Sequence, residues 1–177
     1  SDITESRLAV QEIAQQRQRL ANIIGGTHAG TWEVDLSTGR VQVNDLFASM
    51  LGHDLPGSLA RLKHGIVGLV HPDEREAVTR LWEEHLAGHL PVFEAEFRLQ
   101  HRDGHWVWVQ SHGRVSVRDG QGLPLIIAGI HLDISRRKQV EAALRASQAF
   151  LDKTGRIAGI GGWELEVATQ TLQWTDQ

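Results

Sequence analysis

The chain of 177 residues contains no cysteine. Without thiols it can form neither disulfides nor cysteine-ligated metal centres, and the composition fits the cytoplasmic location we expect. No apolar run approaches the roughly 18 residues of a membrane-spanning helix, so no membrane contact is expected. Excess charge is also scarce: 18 Lys and Arg stand against 22 Asp and Glu, and the longest basic cluster is Arg136-Arg137-Lys138. That balance argues against a nucleic-acid surface. Catalytic signatures are missing too. There is no Gly-rich phosphate loop and no serine in a nucleophile-elbow setting, and the stretch EEHLAGH lacks the H-E-x-x-H order that sets two ligands and a base on one helix face. The expectation is a non-enzyme. The sequence starts without Met and carries no signal peptide, so an excised piece of a longer protein is expected.

What is present is the apolar content of a folded domain, 41% against 23% charged, enough to build a core. The most informative stretch runs from His101 to Lys138. It reads as a turn, a long strand, the Gly-rich turn RDGQG, a second long strand and then an abrupt change to helix. Asp119-Gly120 and Gly122 are expected to supply the positive-φ positions of an antiparallel hairpin. The Ala-rich run RRKQVEAALRASQAFL follows at once and suits a helix. A strand that feeds straight into a helix transmits motion, because shifting the sheet must move the helix.

Upstream, residues 5–24 read as a helix ended by Gly25-Gly26. Trp32, Val34 and Leu36 then alternate with Glu33 and Asp35, and after a turn at Ser37-Thr38-Gly39 come Val41 and Val43, which together make a half-buried hairpin. DLFASM is a short helix, and HPDEREAVTRLWEEHLAGH is a longer one with Pro72 at its first position and Gly88 as its stop. Phe93, Ala95, Phe97 and Leu99 alternate strictly with polar residues, so one face of that strand is wet. On the next strand Trp106 and Trp108 share one face while Val107, Val109, Val115 and Val117 share the other. Apolar residues on both sides imply that both sheet faces are covered. Leaving Trp106 or Trp108 in water forfeits roughly 4–6 kcal/mol by area, an upper bound.

The final strand ends in Asp133-Ile134-Ser135 before basic residues and a helix, HRDGHWVWV precedes it, and GLVHPDEREAV opens the long helix. In order and spacing these pieces resemble a PAS sensory domain over residues 20–135. The resemblance implies an α+β fold: a five-stranded antiparallel sheet, short helices on one face, and helical linkers at both ends. It implies a non-catalytic sensor and dimerisation module of a signalling protein whose output is a histidine kinase or a cyclic-dinucleotide enzyme; a haem- or flavin-binding redox or gas sensor, or a purely structural dimerisation spacer, is the alternative. It also implies that Asp133, Ile134, Ser135, Arg136 and Arg137 couple signal to output, with Asp133 pairing to one of the two arginines. Between sheet and helices an apolar pocket would be lined by Trp32, Phe47, Met50, Leu81, Phe97, Trp108 and Ile127, with His112 and His131 able to bond a ligand or to respond to pH. A filled core without a pocket is the alternative.

The family takes haem, flavin, small carboxylates or no ligand, so the cofactor stays open. Cysteinyl-flavin chemistry is excluded because there is no cysteine. Ala77 occupies the position at which haem sensors of the family carry their proximal histidine, although other haem geometries and non-covalent flavin remain. His85 and His89, and His101 and His105, are pairs four apart, but neither has a third ligand at recognisable spacing, so no metal site is assigned.

The sequence also repeats. Asp2-Ile3-Thr4 matches Asp133-Ile134-Ser135, Trp32-Glu33 matches Trp163-Glu164 and Asp45 matches Asp176, always at 133 − 2 = 163 − 32 = 176 − 45 = 131 residues. The expected organisation is a tandem array: residues 1–24 the tail of one module and its linker helix, 25–135 a complete module, 136–154 a linker helix and 155–177 the first two strands of the next. Both linkers keep a narrow stripe, Ala9, Ile13, Gln16, Leu20, Ile23 and Val140, Leu144, Ser147, Leu151, with a polar third position in each. That spacing suits a coiled-coil seam between two copies, or else each stripe packs on its own sheet. A homodimer through the linker helices or the sheet face is therefore expected.

Overall fold

The structure is a computed structural model and describes residues 2–53, 66–158, 163–166 and 171–174. The chain divides into two compact units, Ser1–Ser135 and Arg136–Gln177. In the first, helix α1 (Asp2–Thr27) leads into strand β1 (Gly30–Asp35), β2 (Arg40–Val43), helix α2 (Asp45–Met50), a 3-10 turn (Ile66–Leu69), helix α3 (Pro72–Leu86), and strands β3 (Phe93–Gln100), β4 (Trp106–Arg118) and β5 (Pro124–Asp133). The five strands form one sheet in the order β2-β1-β5-β4-β3, every pair antiparallel. The fold is α+β, as expected.

Each helix is started by its own sequence. Asn44 caps α2: its Oδ1 accepts from Phe47 N and from Thr31 N, both at 2.9 Å, so one side chain ties the helix to β1 and sets Phe47 under the sheet. His71 caps α3 by accepting from Asp73 N, with Pro72 at the first helical position and Gly88 (φ 84°) past the end. Glu74 then fastens α3 to β3. Its Oε1 takes Arg98 Nε and Nη2 at 2.8 Å each, and its Oε2 takes Arg98 N at 2.7 Å.

The core lies between one face of the sheet and these helices: Trp32, Phe47, Leu51, Val78, Phe93, Phe97, Leu99, Val107, Val109 and Ile127 are buried there. Trp32 decides the shape of this face. Gly113 and Gly129 stand opposite each other on β4 and β5, and a Cβ on either would come within 2.5 Å of the Trp32 ring. The indole lies across a pair of residues that must have no side chains.

Two expectations need correction. α1 does not stop at Gly25-Gly26 but runs on to Thr27, and the left-handed residue that ends it is His28 (φ 54°). Glycine permits a helix stop without compelling one. In the β4–β5 turn, Gly122 (φ 85°) has the positive φ, whereas Asp119 and Gly120 do not. Asp119 shapes the turn through its carboxylate, which accepts from Gln121 N and Leu123 N. The segment from Pro56 onward lies outside the described residues as far as 65.

The described side chains of α1 are all exposed, with Ile3, Leu8, Val10, Ile13, Leu20 and Ile23 between 54% and 72% accessible, so its stripe does not pack on the sheet.

In the second unit, helix α4 (Ser135–Ala158, beginning one residue earlier) precedes the two-stranded sheet of β6 (Trp163–Glu166) and β7 (Thr171–Trp174). Val140, Leu144, Phe150 and Leu151 of α4 are exposed. The β6–β7 register, Trp163↔Trp174 and Leu165↔Leu172, is that of β1–β2, Trp32↔Val43 and Val34↔Val41, displaced by 163 − 32 = 174 − 43 = 131. The ends of α1 and α4 differ by the same amount, 158 − 27 = 131.

Candidate functional site

A cavity of about 260 Å³ opens between the core face and the helices. Its wall combines Trp32, Val34, Leu36 and Val41 of the first hairpin with Ile66, Val67 and Val70, then Val78, Thr79 and Trp82 of α3, and Phe93, Phe97, Ser111 and His131 of the sheet. None of these side chains is charged. Three of these residues carry a polar atom, Trp32 Nε1, Ser111 Oγ and His131 Nδ1, that is buried without a hydrogen-bond partner among the described residues. Ser111 and His131 face each other across β4 and β5, and the His131 ring lies 5.8 Å from that of Trp32. Burial pushes the His131 imidazole down to about 3, so near neutrality it is uncharged.

Of the pocket residues expected from sequence, the structure brings Trp32, Phe97 and His131 to the cavity wall. Phe47 and Ile127 are buried in the adjoining core, with Met50 and Leu81 packed against it. Trp108 and His112 are not in the pocket. Phe97 pairs with Val109 and His131 with Ser111, so the even-numbered residues of β4 point out of the opposite face. There Arg98 covers the Trp108 ring at 5.2 Å, the His71 ring meets Trp106 at 4.4 Å, and His112 Nε2 stands 3.8 Å from Glu94 Oε1. Both tryptophans are thus half-buried by polar neighbours from their own chain. Sequence reasoning missed Ser111, Trp82 and Phe93. Ser111 shares the alternation of Val107 and Val109, and that is the signal that could have found it.

At the C-terminal end of β5 a single residue, Ile134, separates strand from helix. It is buried, its N–H donates to Trp108 O at 2.9 Å, and Trp108 N donates to Ser135 Oγ at 3.0 Å. Asp133 Oδ1 accepts from Ser135 N at 2.8 Å, which caps the first turn of α4. Within that helix Arg137 lies 3.9 Å from Glu141.

The sequence profile of the family described as PAS fold matches residues 40–131, just over half of the chain. The chain belongs to the PAS family. Among curated proteins this PAS chain is 33% identical over 134 residues to Sensor protein FixL of Bradyrhizobium diazoefficiens, covering 72% of this chain and 25% of that protein. It is 26% identical to the Two-component sensor PprA of Pseudomonas aeruginosa, covering 77% of this chain and 14% of that protein. The PAS chain therefore spans a quarter or less of these relatives. A solved structure of a Sensory Box Histidine Kinase/Response Regulator from Burkholderia thailandensis superposes with a TM-score of 0.64 at 28% identity, over 76% of this chain and 98% of that one. Among the described residues no helix is long and apolar enough to cross a membrane.

Proposed function

We propose that residues 25–135 are a non-catalytic sensory module that takes a compact, uncharged, mostly apolar molecule bearing a carbonyl or hydroxyl group. The observation that carries this reading is the set of three polar atoms without a partner among the described residues, borne by residues of a largely apolar wall. Buried donors and acceptors are nearly always paired, and a few convergent polar groups in an apolar cavity are what orients a small ligand. A charged ligand would be desolvated here with no counter-charge among the described lining residues. The cavity as described, about 260 Å³, lies below the ~300–1,000 Å³ of ordinary ligand sites, and Ala77 is exposed on α3 and has no ligating atom, so this reading calls for neither haem nor flavin.

In this reading the ligand is sensed at His131, two residues before Asp133, and the change passes through Ile134 and Ser135 into α4. Arg136 and Arg137 supply the partner of Asp133 that the family resemblance implies. The exposed stripes of α1 and α4 meet those of a second copy in a parallel homodimer, the 4-3 spacing being that of a coiled-coil seam. The repeated hairpin register and helix ends support a tandem array with modules divided at 24, 135 and 154. The parent is a two-component sensor of the kind its relatives' names describe, with a cyclic-dinucleotide enzyme as the other output to test.

Mass spectrometry of small molecules released from the purified chain, followed by thermal-shift titration, tests the pocket. An uncharged binder should stabilise the protein by about 2.7 kcal/mol at a hundredfold excess over Kd, and Ser111→Ala should weaken it. Haem or flavin absorption bands, or binding indifferent to Ser111→Ala, would overturn the reading. For the coupling, Asp133→Ala in the parent protein should leave the domain folded and abolish the response. Unchanged signalling would remove that role.

A further inference from the structure

A second site, independent of the cavity, lies in the turn between β3 and β4. We propose that His101, Asp103 and His105 bind a divalent transition-metal ion, zinc being the ion of choice for this donor set. Nδ1 of His101 and Nδ1 of His105 lie 2.8 and 2.5 Å from the same oxygen, Asp103 Oδ1. Ligand-capable atoms of the three residues all fall within 4.8 Å of one another. The two imidazole rings stack with centroids 4.1 Å apart at 23°.

The backbone holds this arrangement. His101 N donates to His105 O at 2.8 Å, Gly104 N to His101 O at 2.9 Å, and Arg102 N reaches across to Leu51 O at 3.0 Å. The His101 ring rests against Gly52, where any Cβ would strike it. The turn is therefore pinned to the end of α2.

Two imidazole nitrogens and a carboxylate oxygen converge on one point. That is a donor set which a single dication could share in place of protons. Zinc takes imidazole nitrogen and carboxylate oxygen at ~2.0–2.2 Å in a near-tetrahedral array, which sets ligand atoms about 3.3 Å apart and leaves a position for water. Asp103 need retreat only by roughly 0.5 Å from His101 and roughly 0.8 Å from His105 to make that room. Bound metal would clamp the β3–β4 turn and, through Leu51 and Gly52, the exit of α2.

The test is titration of zinc chloride into the isotopically labelled chain, with amide shifts read by NMR and stoichiometry by calorimetry. One equivalent should bind, with shifts centred on residues 101–106 and the amide of Gly52. Asp103→Asn and the double variant His101→Ala/His105→Ala should each bind at least about tenfold more weakly, while His89→Ala binds as the parent does. The wild-type shift map locates the site even if a variant folds poorly. No saturable binding to the wild type, shifts centred elsewhere, or undiminished affinity in Asp103→Asn would overturn the assignment.

Discussion

His131 and His112 stand on neighbouring strands of one sheet, one register step apart, since His131 pairs with Ser111. His131 is 2% exposed and uncharged near neutrality, lines the cavity, and has a nitrogen without a partner among the described residues. The side chain of His112 is 37% exposed and faces Glu94. The same residue type has opposite solvent and opposite chemistry because the strand period is two, and a single step moves a side chain from the core to the wet face. The lesson extends to the whole sheet. Its inner face carries orphaned polar atoms and a tryptophan lying on glycines, and its outer face carries half-covered tryptophans and ion pairs.

The contrast breaks most visibly at two consecutive residues of β5. Gly129→Ala forces a Cβ into the Trp32 ring and the backbone of β4, and should cost about 3 kcal/mol or more in urea unfolding. Ala128→Ser on the outer face should stay within about 0.5 kcal/mol. Equal costs would mean that the faces are not distinct.

Acid sharpens the difference next. The unfolded chain protonates histidine near 6.5, whereas folded His131 resists protonation down to about 3. The unfolded state therefore binds more protons in that window, and stability present above pH 6.5 is lost as the pH falls through it. Between pH 7 and pH 5 the His131 share of that loss should be about 2 kcal/mol. His131→Leu should flatten that slope whatever its effect at pH 7, and His112→Leu should leave it in place.

A smaller effect is expected at the junction of strand and helix. Ser135→Ala leaves Trp108 N–H without its hydroxyl acceptor and should cost about 1 kcal/mol, measured by thermal unfolding of the 177-residue chain. Smallest of all, His112→Leu loses an exposed pair 3.8 Å apart and should change stability by less than about 0.5 kcal/mol. A loss comparable to that of Ser135→Ala would show that the outer face is stiffer than its exposure implies.

Much of this protein was determined by sequence alone, because the signals are local. Alternation along Phe93–Leu99 and Val107–Val109, the proline and acidic residues that open α3, and the Asp-Ile-Ser junction depend on neighbours a few residues away. The constant offset of 131 also needs no coordinates. Alternation says that Trp108 opposes Val109, but not which of them shares a face with Trp32. That depends on register across three strands, Phe97↔Val109, Ser111↔His131 and Gly129↔Trp32, so Trp108 and His112 were expected in a pocket that they do not enter. The seat of Trp32 across Gly113 and Gly129, the orphaned atoms of the cavity, and Asp103 set between two imidazoles are likewise relations in space. Burial, packing and the sharing of protons are settled where distant parts of a chain meet, and the tertiary structure alone decided which parts those were.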